Sequence, residues 1–440
     1  MRYILLFMTL SISLAVSLNA HATSTSTSTS NVDILILRSS DNIWTLDYKL
    51  HQPAKQLEFI RNPDNSRVKR WTPVSDNFKI IYQNNKEYVV TKDGSAFTHA
   101  AFTLTPTYKH LPKDYAPFSP FSDGGMLFHS GRLFACINSC DDSVNQWHLT
   151  LTIPDNEHAI VNGELVTKAV SWTDSNNGMN IYVGKQQPIV TDSFIALIDS
   201  GLPEKITTSL NSDIPTFMNY FEKHLGKLQS NSKPTLFASY ANAKGGSSEG
   251  GTLPNQIFMH WNMSNLEKKV SDDHFLHKTL WFFAHEAAHL FQHVHPADDS
   301  QSWIHEGHAD MLAAHALTHL FPDTTNYVTK KIENMKNHCA EGIEQFPLSK
   351  AADNGKFRYY YTCGITIYHA IELLSQKPQS LFSLWNRFQK AVESGEEANQ
   401  TTLLKIADQL TNHKVADKMA HFINNKHQNG QAAINHLTKT

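Results

Sequence analysis

The chain has 440 residues, 40% of them hydrophobic and 18% charged, which is enough to bury the cores of two or three domains. A formal charge of -3 and a sequence pI near 6.8 exclude both the basic excess of a nucleic-acid binder and the acidic excess of a solvated tail.

Residues 1–22 read as an export signal. Arg2 supplies a positive start, Ile4 to Leu18 is mostly apolar, and Ala20-His21-Ala22 offers a small-x-small cleavage site. Thr9, Ser11, Ser13 and Ser17 interrupt the apolar run, which argues for cleavage near Thr23 rather than for a membrane anchor. No cysteine at that point could carry a lipid and no later segment has transmembrane length. The expected product is therefore exported, periplasmic or secreted, with no stable membrane insertion. Residues 23–31, with their alternating Thr and Ser, are expected to be a flexible spacer.

From Val32 the dominant signal is period-two alternation, at Asp33 to Leu37, Ile43 to Leu50, Phe78 to Tyr82, Tyr88 to Thr91 and Trp147 to Ile153. Asn84-Asn85, Asp93-Gly94 and Asn162-Gly163 supply turns between such runs. This predicts a β-rich N-terminal domain over 32–204, an antiparallel sheet of sandwich or saddle type. The four cysteines, Cys136, Cys140, Cys339 and Cys363, are an even number that an oxidising compartment lets pair. Two short local bridges are the simplest arrangement, with connectivity left open.

Near residue 210 the period changes. Ile214, Phe217, Met218, Phe221 and Leu225 fall at helical spacing, and Pro234 to Tyr240 reads as a strand. The glycine-rich stretch 245–251 predicts a flexible loop before a strand at Gln256 to Trp261, which could pair an extended substrate backbone. Helices are predicted at 275–293, 302–320, 326–338, 360–375, 379–394 and 401–410. A small sheet followed by a mostly helical half, over 205–440, makes the chain α+β.

The chemistry concentrates in His285-Glu286-Ala287-Ala288-His289. On a helix the i, i+4 spacing puts both imidazoles on one face, where they can share a zinc ion. Glu286 lies about 100° round the helix, close enough to take a proton from metal-bound water. A third ligand stands in Trp303-Ile304-His305-Glu306-Gly307-His308-Ala309-Asp310, on a second predicted helix. A carboxylate from Glu306 completes a set of two histidines and one glutamate and leaves a fourth position open, as catalytic zinc requires. Asp310, one turn further, is placed to accept the other ring N–H of a liganding histidine. His293, His295, His305, His308, His315 and His319 crowd the same region. Most are expected to be solvated or supporting groups, with a three-histidine site through His295 or His308 as the alternative.

HEAAH followed by WIHEGHAD resembles the gluzincin metallopeptidases, particularly the aminopeptidase N and leukotriene A4 hydrolase group, which combine HExxH with a downstream W-x-x-E-G. Sixteen residues, Leu290 to His305, separate the second histidine from the glutamate, fewer than the family usually has. Tyr361-Thr362-Cys363-Gly364 resembles the family's Y-x-K-G segment with cysteine for lysine, and implies Tyr361 as the group that steadies the oxyanion. Gly246-Ser247-Ser248-Glu249-Gly250 retains the glycine and glutamate of the family's G-x-M-E-N element, so the resemblance implies that Glu249 binds the substrate amino terminus. It also implies a zincin-like catalytic domain, one Zn2+ per chain, a peptide or protein substrate, and aminopeptidase-like hydrolysis. An endopeptidase of narrow specificity, and a non-catalytic binding protein on the same scaffold, are the alternatives. The presence of both Glu286 and Glu306 argues against the second.

Overall fold

The computed structural model describes residues 28–439, apart from 112–113, 141–143, 192–193, 231, 245, 376, 378–379 and 412–414. The expected signal, 1–22, and the first part of the expected spacer, 23–27, lie outside the described residues. The rest of that spacer is not one, because Ser28–Arg38 forms a single strand that begins inside the Thr-Ser run. Its hydroxyls have partners that composition does not reveal. Thr29 Oγ1 donates to Gln146 Oε1 at 3.3 Å and Ser30 Oγ to the Ala135 carbonyl at 3.1 Å.

Alternation explains the N-terminal half. In Trp44–Ala54, the side chains of Trp44, Leu46, Tyr48 and Leu50 are buried, while Thr45, Asp47 and Lys49 between them are more exposed. The largest sheet runs Ala169–Ser175, Val144–Thr152, Ser28–Arg38, Trp44–Ala54, Phe97–Leu104 and Trp71–Pro73, with sheets of four and five strands beside it. One pairing departs from the antiparallel expectation, since Ser28–Arg38 runs parallel to Val144–Thr152. Period-two alternation reports which face is buried and is blind to strand direction. Cys136 and Cys140 form a local disulfide in this half.

The boundary expected at 204 falls earlier. Ile195–Ile198 pairs parallel with Thr235–Ala238, so it belongs to the sheet of the C-terminal half. That sheet runs Ile189–Val190, Ile195–Ile198, Thr235–Ala241, Gln256–Asn262 and Ser247–Leu253. All four residues of Ile195–Ile198 are buried, as a parallel strand covered on both faces demands.

The glycine-rich stretch, expected as a loop, supplies the strand Ser247–Leu253, paired antiparallel with Gln256–Asn262. Packing requires Gly250, because a Cβ there would lie 2.4 Å from Phe282 Cζ and 2.7 Å from the Phe258 carbonyl oxygen. Among the described strands Ser247–Leu253 is therefore the edge. Gln256–Asn262, expected to be open to a substrate backbone, is interior.

The helices Asp273–His289, Trp303–Leu320, Thr325–Ile343, Arg358–Ser375, Ser380–Glu393 and Gln400–Thr411 follow the predicted order. The first is capped by Asp272, whose carboxylate accepts the His274 N–H at 3.0 Å, and it stops at His289 rather than at 293. Two further helices, Ala416–Asn424 and Gly430–Leu437, were not anticipated. No helix among the described residues is long and apolar enough to cross a membrane.

Helices Trp303–Leu320 and Arg358–Ser375 meet backbone to backbone. A Cβ on Gly307 would lie 2.3 Å from Gly364 Cα, and one on Gly364 would lie 2.6 Å from Gly307 Cα. A second disulfide, Cys339–Cys363, ties Arg358–Ser375 to Thr325–Ile343. Gly307→Ala is expected to destabilise the protein by about 1–3 kcal/mol through overpacking. Urea denaturation measures it, and an unchanged midpoint would mean that the helices do not touch here.

Hydrogen bonds join the two halves. Gln256 exchanges a pair with the Asn180 backbone at 2.8 and 2.9 Å, and Asp199 Oδ2 accepts the N–H groups of Ser122 and Tyr240 at 2.8 and 2.9 Å. The N-terminal half thereby becomes one wall of the cleft described next.

Candidate metal centre

His285 and His289, one helical turn apart, meet Glu306 from the first turn of Trp303–Leu320. The two Nε2 atoms are 3.0 Å apart, and each lies 3.2 Å from Glu306 Oε2. Among the described residues these three form the one group able to hold a metal ion.

Neighbours fix where the ring protons sit. Asp310 Oδ1 accepts from Trp281 Nε1 at 2.8 Å and lies 3.0 Å from His285 Nδ1. A carboxylate has no proton to give, so His285 carries a proton on Nδ1 and turns Nε2 toward the other two groups, free to bind a proton or a metal ion. His289 is fixed through Gln292, whose Nε2 donates to the His305 carbonyl at 3.1 Å. The oxygen of that amide therefore faces His289 Nδ1, at 2.6 Å, and accepts its proton. Gln292 also donates to His308 Nδ1 at 2.9 Å. His308 is fully buried against Trp385, ring centroids 4.2 Å apart, and burial pulls its pKa down to about 3, so it stays neutral. It is neither solvated nor a ligand.

Two imidazole Nε2 atoms and a carboxylate oxygen thus face one another, and with both rings neutral the arrangement repels itself until a proton or a metal ion lies between them. Its dimensions fit zinc. With metal–ligand bonds of about 2.0–2.1 Å, tetrahedral ligand atoms stand about 3.3 Å apart. Burial works against ionisation of Glu306, but His289 and His285 beside it hold its carboxyl well below the usual range. Burial likewise opposes charge on His285, yet Asp310 holds it well above the ordinary histidine value, which makes Nε2 a stronger base toward a cation. Three protein ligands with a fourth side open to solvent are the arrangement of catalytic zinc.

The group opens on a cavity of about 780 Å3. Glu286 lines it, and its Oε2 accepts from Thr252 Oγ1 at 2.7 Å. Tyr361 lines it as well, with its ring 5.7 Å from that of His285. Burial, with Glu306 and Glu286 alongside, pushes the Tyr361 phenol well above its usual pKa, so it remains a hydrogen-bond donor. Its neighbours are occupied elsewhere. The Tyr360 hydroxyl accepts from the Ala352 N–H at 3.0 Å, and Tyr359 packs on Phe346.

Glu249 is placed differently. It is not part of the cavity lining; its Oε1 accepts the Ala116 N–H at 2.7 Å and its Oε2 lies 3.2 Å from the Tyr108 hydroxyl and 3.3 Å from His110 Nδ1. The edge strand instead presents Gly250, Gly251 and Thr252 to the cavity, faced by Tyr115 and Asn177 of the N-terminal half.

Three contributors had no readable signal. Thr252 and Tyr115 belong to no motif, and Gln292 lies where helix was expected to continue. Gln292→Leu is expected to weaken metal affinity by about 10- to 100-fold by freeing the His289 ring. Titration against a competing chelator reads this directly, and wild-type affinity would remove Gln292 from the orienting role.

No family model and no curated protein matches the sequence. Solved structures do match by fold. An aminopeptidase N family protein from Idiomarina loihiensis aligns with a TM-score of 0.66 over 92% of this chain and 78% of its own, at 11% identity. A variant of the M1 zinc metallopeptidase of Deinococcus radiodurans, bound to a Tyr-Ser-Ala substrate, gives 0.54 over 91% of this chain and 94% of its own, at 13% identity. The chain has the fold of the M1 zinc metallopeptidases. In this M1 fold the β-rich N-terminal half walls a cleft whose floor is the helical half. At such identities the likeness is one of fold, and the chemistry rests on the residues themselves.

Proposed function

We propose that the chain is an exported zinc-dependent peptidase that hydrolyses peptide bonds with Glu286 as general base. The observation that carries this is the convergence of His285 Nε2, His289 Nε2 and Glu306 Oε2 within 3.0–3.2 Å, beside Glu286 in an open cleft. His285, His289 and Glu306 would hold a zinc ion there, which would supply a Lewis acid for the scissile carbonyl and for activating water. Glu286 accepts the proton of the attacking water and passes it to the leaving amine. Tyr361 donates a hydrogen bond to the developing oxyanion. The outer side of Ser247–Leu253, the edge of its sheet among the described strands, pairs an extended substrate backbone alongside Gly250 and Gly251. Export is supported by the N-terminal sequence and by two disulfides among the described residues.

The resemblance favours aminopeptidase-like cleavage. The engagement of Glu249 by Ala116, Tyr108 and His110 favours the endopeptidase alternative, because a carboxylate held by its own chain is less free to bind a substrate ammonium. A screen of matched peptides with free and acetylated N-termini separates the two. Loss of cleavage on acetylation supports the aminopeptidase, and equal cleavage the endopeptidase. No chelator-sensitive cleavage of either would return the scaffold to a binding role.

A further inference from the structure

Along the same helix, toward its N-terminus from the ligands, lies a second cavity of about 770 Å3 that shares no lining residue with the first. It is formed by the first half of Asp273–His289, the facing side of Thr325–Ile343 and the start of Arg358–Ser375. Helical spacing explains its chemistry. Lys278 points in from one helix, Lys330 and Lys331 from the next, and Arg358 from the third. The one carboxylate in the lining is Asp323, which reaches His277 at 3.7 Å. Four fixed cations against one carboxylate give a net +3 with the histidines neutral, in a chain whose whole formal charge is -3. Among the described residues none of the four cations has an ion pair.

Lys331 is the telling member. Its ammonium sits 4.6 Å above the Trp281 ring, half-buried. Burial pulls its pKa down; Asp310 opposes this, while Lys278 and Arg358 add to it. A partly desolvated cation among like charges is relieved by a multivalent anion, and the volume is that of a small-molecule site rather than of an ion pair. We propose that this cavity binds a small polyanion carrying two or more phosphate or sulfate groups, anchored by Lys331 and embraced by Lys278, Lys330 and Arg358. The site is independent of the peptidase reading and needs no turnover to be tested.

Calorimetric titration of the full chain with inorganic pyrophosphate and, in parallel, with a sulfated disaccharide distinguishes the two anion sources. The titrations are run on wild type and on metal-free Glu306→Ala protein, so that chelation at the metal group is separated. Saturable one-to-one binding in both proteins is expected, weakened at least 10-fold by Lys331→Met and by the exposed pair Lys278→Gln with Lys330→Gln. Binding lost with Glu306→Ala but kept in the lysine variants would assign the anion to the metal and overturn the proposal. So would no saturable binding of either probe.

Discussion

Glu286→Gln is expected to lower kcat on a cleaved peptide by about 10²–10⁴-fold while metal content stays at the wild-type level. The reason is geometric. Glu286 stands outside the triangle formed by His285, His289 and Glu306, so removing its charge leaves the ion's ligands untouched. Its carboxylate accepts from Thr252 Oγ1 at 2.7 Å, and a glutamine carbonyl can accept the same bond, so position is kept while basicity is lost. Steady-state kinetics and metal analysis on one preparation measure both effects. A loss below about tenfold would place the base elsewhere, since general-base catalysis contributes more than that.

The metal group was legible because its chemistry constrains sequence locally. Two ligands on one helical face need i, i+4 spacing, and a base beside them must be the next residue, so His285, Glu286 and His289 announce themselves in five residues. Glu306 was legible as the carboxylate that completes the ligand set on the next predicted helix, and Tyr361 through the resemblance of Tyr361-Thr362-Cys363-Gly364 to the Y-x-K-G segment. Gly307 and Gly364 form one helix–helix contact, which is why both motifs carry a glycine and why the structure brings those two side chains to the same cleft. The long amphipathic helices were readable for the same reason of strong periodicity.

What could not be read depends on pairing across the chain. Ile195–Ile198 is a continuous apolar run, which marks a strand buried on both faces but not its partner; that partner is Thr235–Ala238, and only the pairing moves it into the C-terminal sheet. Ser247–Leu253 has the composition of a turn, but it pairs with Gln256–Asn262 as a strand, and Gly250 leaves room for Phe282 beside it. Glu249 matched a motif position, while its carboxylate was claimed by Ala116, far away in sequence. Gln292 orients His289 only because the helix stops early enough for its amide to turn back. Each is a tertiary contact that overrides a local signal.

The most direct test of the account is the metal content of the purified mature protein, wild type beside Glu306→Ala, by elemental analysis after dialysis against a weak chelator. The ion is expected to be held by two neutral imidazoles and one carboxylate, so removing the carboxylate leaves two neutral ligands facing each other at 3.0 Å. Near-stoichiometric zinc in wild type and a sharp loss in Glu306→Ala is the predicted result. Equal zinc in both would contradict the two-histidine, one-glutamate site, and no zinc in either would contradict the metallopeptidase reading itself.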